Sequence, residues 1–435
     1  MALIIQIVLF SNLTLSKRKC LSKRGAVVLA AVYHYLYAML FSEIPGQGAV
    51  KANLVNLVSS NRLSHALLLL GKEGSGALQL ALALAQYVVC EKNKPGTSSG
   101  EPSLFGEPSL TTTFLADACG ECPSCKKSAA LIHPDIHYSY PTIVKTAGDK
   151  PIASDFIQEW RSFVAQTPFG NAFDWLQSIG AENKQGNITA NECEEIIRKL
   201  NLKSFESGYK ILIQWMPEYL GPMGNKLLKL IEEPPANTLL IFVAQDESKL
   251  LSTILSRTQL IKINQLESKD IQEWLISKQA VPREKALSIA PLSQGNMREA
   301  FQILHNSDEN WEEVLREWLN AILKNGPAAQ VKWVDDNSKL GREKQKQFLA
   351  YFIHLLSCAV HIANVGTAPE IAENELDFAN RLLRLAATEQ LEAIVTELDR
   401  ASYQIERNAN PKILFMALTI KIYHIIKDKA VILVH

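Results

Sequence analysis

The sequence predicts an α/β domain followed by helical domains, and three observations carry that prediction. Short apolar runs (Ala66–Leu70, Tyr209–Trp215, Leu239–Ala244 and Thr258–Ile263) alternate with helical stretches between Phe41 and about Asn264, the pattern of strands joined by helices. The first run enters a glycine-rich turn (Gly71, Gly74, Gly76) and then an Ala/Leu-rich helix. From Ser268 onward the strand pattern gives way to apolar residues spaced three and four apart, the signature of amphipathic helices.

The chain has 435 residues, enough for two or three domains with sizeable cores. Lys+Arg and Asp+Glu both total 45, which argues against a bulk-charge grip on nucleic acid while leaving room for a local basic patch. The composition, 47% hydrophobic and 21% charged, is that of a soluble globular protein. Four of the seven cysteines fall in one region, which points to a metal site more than to a disulfide framework.

Residues 1–38 stand apart. They hold an apolar run (Ala2–Phe10), a basic patch (Lys17, Arg18, Lys19, Lys23, Arg24) and a second apolar run (Ala26–Leu40) broken by Tyr and His. That second run is short for a membrane span and no small-residue cleavage site follows it. The expectation is an extension ahead of the true start at Met39, with a membrane anchor as the alternative.

Along the rest of the chain, Glu91–Ala118 is rich in Gly, Pro, Ser and Thr and is expected to be a loop. "NLKSFESGYK" and "EEPPANT" are turn chemistry ahead of the second and third strands. "KDIQEWLISK", "PREKALSIAPLS" and "MREAFQIL" form a small helical unit to about Lys324, separated by Pro and Gly. "QFLAYFIHLLSCAV" and "KILFMALTIKIYHII", beyond Glu343, are helix-bundle patterns with no chemistry visible in them. There is no internal repeat.

Three segments bear on chemistry. A phosphate-cradling loop reads G-x-x-x-x-G-K-[ST], its lysine reaching the β- and γ-phosphates and its hydroxyl holding Mg²⁺. Here Gly71 and Gly76 have the spacing, but Ala77 and Leu78 replace the lysine and the hydroxyl. In an ATPase the strand of "YKILIQWMPEYL" would end in Asp-Glu; Trp215 and Met216 stand there instead, with Glu218 two residues on. Both halves of a hydrolytic site are absent. The third segment, "CGECPSC", supplies Cys119, Cys122 and Cys125 as two overlapping C-x-x-C steps, and Cys90 is the candidate fourth thiolate across the loop. Four thiolates suit tetrahedral, structural zinc; unrelated thiols or a redox pair are the alternatives.

"NKLLKLIEEPP", an apolar strand and then "ILSRTQ" resemble the clamp-loader branch of AAA+ proteins, which reads N-x-LLK-x-LEEPP and SRC. Gly46–Gln47, "NRLSHALLLLG", the cysteine cluster, "HPD" (His133–Asp135), "GNMREA" (Gly295–Ala300) and "NANPKILFMAL" (Asn408–Leu418) follow in that family's order. The likeness covers about residues 41–430 and is best for the δ′-type subunits of bacterial DNA polymerase III. It departs at Thr258, where the family has Cys, in the long loop between Cys90 and Cys119, and in "WMPE". The resemblance implies an AAA+ (RecA-like) parallel-sheet domain at 39–265 with a zinc module inserted at 90–125. A helical lid at 266–325 and a helical collar at 330–435 that drives assembly would follow. It also implies a cytoplasmic subunit without ATPase activity of its own, working in the polymerase holoenzyme beside γ/τ and δ subunits, the β sliding clamp and primed DNA. Arg257 of "SRT" would be an arginine finger reaching a neighbour's ATP; a plain surface arginine is the alternative. Arg298 matches a sensor arginine or serves the lid structurally, and His65 and His133 read as structural. Two rivals remain: an ATPase with an unconventional loop, and a zinc-dependent nucleic-acid-binding module, which Lys126 and Lys127 alone support weakly.

Overall fold

The computed structural model describes residues 40–93, 116–144, 148, 150–181, 186–305, 310–366, 371–407 and 409–428. The expected extension at 1–38 and the start at Met39 lie outside the described residues. The chain divides into two compact units that meet in sequence at Gln265 and Leu266.

The first unit is built on five parallel strands: β1 (Ala66–Gly71), β2 (Ile136–Ser139), β3 (Lys210–Trp215), β4 (Thr238–Ala244) and β5 (Gln259–Ile263), in the order β2-β3-β4-β1-β5. Register is set side by side, with Leu67 lying between Ile241 and Gln259, and Ile213 between Tyr138 and Ile241. Because successive strand residues face opposite sides, the apolar runs fill two cores. Leu67, Leu69, Ile211, Ile213, Trp215, Ile241 and Val243 face one layer; Ala66, Leu68, Leu212, Leu240, Phe242 and Ala244 face the other. A parallel sheet covered on both faces explains runs that are apolar throughout.

The covering helices are α1 (Gly48–Ser59), α2 (Ala77–Val89), α3 (Pro123–Ala129), α4 (Ile157–Gln166), α5 (Ala172–Ser178), α6 (Ala190–Leu200), α7 (Leu228–Glu232) and α8 (Ser252–Leu255). Nearly every residue of α2 is buried, which its all-round Ala/Leu composition suits. β2 is absent from the sequence expectation because a four-residue "IHYS" is too short and too polar to read as a strand. β5 starts one residue later than expected, since the Thr258 hydroxyl donates back to the carbonyls of Ile254 and Leu255 and keeps that residue in the preceding turn. β3 likewise begins at Lys210, Tyr209 being bonded through both its N–H and its carbonyl to Ser207 Oγ.

The second unit is helical: α9 (Ser268–Gln279), α10 (Arg283–Leu292), α11 (Met297–His305), α12 (Trp311–Asn320), α13 (Gly326–Asn337), α14 (Arg342–Val365), α15 (Glu373–Leu385), α16 (Thr388–Glu406) and α17 (Pro411–Lys427). Trp318 stacks on Trp333 with ring centroids 4.7 Å apart, and Phe348, Phe352 and Phe415 close around them. Among the described residues one segment, Lys344–Val365, is long and apolar enough to cross a membrane; here it forms most of α14, with Phe348, Leu349, Phe352, Leu355 and Leu356 buried in the bundle.

Candidate functional site

The glycine loop between β1 and α2 has the backbone its sequence promises. Gly74 and Gly76 adopt φ of 71° and 88°, left-handed values that favour glycine. A Cβ on Gly71 would lie 2.5 Å from Ser75 Oγ, so no larger residue fits. Gln47 of the "GQ" pair locks the loop to the sheet, its amide donating to Ser75 O (3.2 Å) and Asn264 O (2.6 Å).

Directly at the loop little space remains, while a wider space of about 730 Å³ opens next to it, lined by Glu73, Asn171, Met216, Glu218 and Gln245 among others. Ala77 and Leu78 are buried in the first turn of α2. The space left at the loop is about 30 Å³, lined by Gly71, Gly76, Ala77, Phe169, Trp215 and Met216, room for one or two waters. Trp215 is 2% exposed and packs on Trp160 and Phe163 at 5.1 and 5.8 Å, in a cluster that includes Tyr140 and Trp175. The position that would hold Mg²⁺ in an ATPase is thus part of an aromatic core. Glu218 is half engaged: one carboxylate oxygen accepts the N–H groups of Gln245 (2.6 Å) and Asp246 (3.0 Å), tying down the end of β4, while the other is buried without a hydrogen-bond partner.

The four cysteines expected to act together do come together. Their sulfurs all lie within 4.8 Å of one another. Cys90 caps the C-terminus of α2, while Cys122 caps the N-terminus of α3, where Pro123 takes the first helical position. Backbone N–H groups of Cys119, Cys122 and Cys125 point at the sulfurs of Cys90 (3.5 Å), Cys119 (3.4 Å) and Cys122 (3.4 Å). The Cys125 thiol holds Cys90 down to about 5, against the effect of burial; Cys125 is pushed up, first by that same bond and then by burial. Three of the sulfurs belong to buried residues. Four such sulfurs with N–H donors fit a metal such as zinc, which would neutralise thiolates too costly to bury alone. Glu91 supports the site by accepting from Ser124 N (3.2 Å) and Oγ (2.8 Å).

Arg257 follows α8 with its side chain 35% exposed. Its Nη1 donates to Thr253 O (3.0 Å) and Ser256 Oγ (3.2 Å), and its Nε to Glu232. In the second unit, Arg298 at the start of α11 donates to Gln302 (2.8 and 3.1 Å) once that amide is turned to present its oxygen. His65 Nε2 meets Ile231 O at 2.8 Å, and His133 Nδ1 accepts from Asp135 N at 3.2 Å; both contacts hold structure. Asp135 itself, the last residue of "HPD", carries no signal of its role in the sequence. Its buried carboxylate collects the N–H groups of Phe205 (2.5 Å), Glu206 (2.8 Å) and Ser207 (2.8 Å). Burial works against the charged form, yet those amides hold it below the usual carboxylate range.

A central strand leading through a glycine loop into α2, within this strand order, defines an AAA+-type fold, and in this chain buried Ala77 and Leu78 stand at the positions of the loop lysine and hydroxyl. The chain belongs to the DNA polymerase III, delta subunit family, whose model matches residues 46–267. It is 26% identical over 262 residues to the DNA polymerase III subunit delta' of Bacillus subtilis, covering 60% of each protein. With the Escherichia coli protein of that name it shares 23% over 388 residues, 87% of this chain and 95% of that one. A solved gamma subunit-related protein from Thermotoga maritima aligns with 85% of this chain and 98% of its own at 14% identity and a TM-score of 0.34.

Proposed function

We propose that this chain is a δ′-type, non-hydrolysing subunit of the bacterial replicative clamp loader that supplies Arg257 to ATP held by a neighbouring subunit. The observation that carries the reading is a conjunction: buried Ala77 and Leu78 at the lysine and hydroxyl positions of the loop and Trp215 committed to an aromatic core, together with a retained, solvent-reachable Arg257. The glycine loop survives as architecture, joining β1 to α2, while the chemistry is left to γ/τ neighbours. An arginine offered across an interface neutralises charge that develops in phosphoryl transfer. The remaining partners would be the δ subunit, the β sliding clamp and primed DNA engaged through the whole complex, in the cytoplasm. Cys90, Cys119, Cys122 and Cys125 would hold a structural Zn²⁺, with no position open for water.

Within this reading, residues 266–325 serve as a lid and 330–435 as the assembling collar. The outer face of α17 supports that role: Ile413, Ile420 and Tyr423 are exposed at spacings that share one helix side, as a helix-docking stripe requires. The test is to reconstitute the loader from this chain with γ/τ and δ subunits and compare wild type with Arg257→Ala. Removing a trans arginine costs about a thousandfold at the site it serves. Only one of several sites is served, so total DNA-stimulated turnover should fall partially and clamp loading more severely. The isolated chain should bind no ATP. Wild-type turnover and loading in an intact Arg257→Ala assembly would defeat the reading.

A further inference from the structure

Glu232 of "EEPP" and Arg257 of "SRT" are 25 residues apart along the chain and touch in space. Glu232 is the last residue of α7, because the two prolines that follow cannot continue the helix. Its neighbour Glu233 has already left the helix, at φ −129° and ψ 69°. The helix end therefore holds Glu232 beside α8, where its carboxylate accepts from Arg257 Nε. On its other flank the guanidinium is fixed by Nη1, bonded to Thr253 O and Ser256 Oγ. Both protons of Nη2 are unspent among the described residues. A guanidinium has five donors in one rigid plane, so fixing Nε and Nη1 fixes the direction in which Nη2 is offered.

We infer that Glu232 is a positioning residue for Arg257: it orients the guanidinium so that Nη2 faces outward to an anionic oxygen on a neighbouring subunit. The inference rests on the trans-arginine reading above. Glu232 itself touches no substrate. As an exposed ion pair, with side chains 35% and 47% exposed, the contact adds little to stability, so what it supplies is geometry. A small misplacement of a charged group at a transition state can cost up to about a hundredfold. The prolines belong to the same device, since they stop α7 where Glu232, and not Glu233, meets the arginine.

The experiment is a double-mutant cycle in the reconstituted loader, using Glu232→Ala, Glu232→Gln, Arg257→Ala, the combination of the two alanines, and Glu233→Gln as a control. Co-elution and thermal unfolding establish that each variant assembles. Glu232→Ala should lower kcat for ATP without raising KM, by several-fold to about tenfold at the site served, and never below the Arg257→Ala value. Glu232→Gln keeps an acceptor for Nε and should recover most of the loss, and Glu233→Gln should match wild type. In the Arg257→Ala background, Glu232→Ala should cost nothing more. If Arg257→Ala loses activity while Glu232→Ala stays at or above wild type, the positioning role is overturned and the trans arginine stands. An equal loss from Glu232→Ala in both backgrounds overturns it as well. No loss from Arg257→Ala overturns the reading on which the inference depends.

Discussion

After Gly76 the chain places Ala77 and Leu78 where a phosphate-cradling loop uses a lysine and a hydroxyl. Both are buried in the first turn of α2, and Phe169 lines the small space at the loop together with Trp215 and Met216. Trp215 is committed to the cluster of Trp160, Phe163 and Trp175. Restoring the motif residues alone therefore should not restore the site. The double change Ala77→Lys and Leu78→Thr is expected to give no ATP binding by calorimetry. It should lower unfolding stability by about 1–3 kcal/mol, through overpacking and the burial of an unpaired polar group. Saturable ATP binding by that variant would mean that the seat opens more easily than its packing implies. Phe169 was not legible in the sequence, because it reaches the loop from a segment almost a hundred residues away that carries no motif of its own. The Glu232–Arg257 contact was hidden for a similar reason: both motifs could be read, but their meeting depends on how α7 and α8 end.

Among the elements, α3 depends most on chemistry outside itself. Seven residues are too few for a helix to persist alone, and α3 is held by the Cys122 cap, the Glu91–Ser124 bonds and the thiolate cluster. We expect one tightly bound zinc per chain by elemental analysis. Cys90→Ser or chelation should raise amide exchange across residues 116–130 far more than in β1, β3 and β4, because the four cysteines are a small part of one core, built mainly of Leu, Ile and aromatic side chains, and no part of the other. Metal-free protein with unchanged protection at α3 would refute the site. That Cys90 joins the other three cysteines was legible from its place at the end of α2, as were four of the five strands, since buried parallel strands leave long apolar runs. β2 was not: His137 and Ser139 interrupt its apolar character, and its pairing with β3 is secured by neighbours distant in sequence. The "HPD" turn likewise looked inert until Asp135 was seen to gather three amides.

At the scale of the whole molecule, the two units carry partly buried histidines, His137 and His354, shifted in opposite directions, so their stabilities should respond oppositely to pH. In the first unit burial, aided by the nearby Lys199 charge, pushes His137 down to about 4. The unfolded chain then binds a proton near pH 6.5 that the folded unit refuses, and stability falls as pH drops below 6.5. Between pH 7 and 5 the loss from this residue is about 2 kcal/mol. In the second unit burial again opposes the charged form of His354. Here it is outweighed by Cys358, 3.8 Å away on α14, and by Glu375, 3.7 Å away on α15, which raise His354 to about 9. That stabilisation is fully present below pH 6.5 and is lost as pH rises through 9, about 2 kcal/mol of it between pH 7 and 9. Amide exchange reads the units separately: β3 protection should weaken toward pH 5, and α14 protection should weaken toward pH 9, after correction for the intrinsic exchange rate. His137→Asn should flatten the first dependence and His354→Gln the second, each leaving the other unit's slope as it was. A wild-type slope surviving in either variant would place the titrating group elsewhere. The two halves would therefore be most stable together only in the narrow neutral range where neither histidine is forced out of its preferred state.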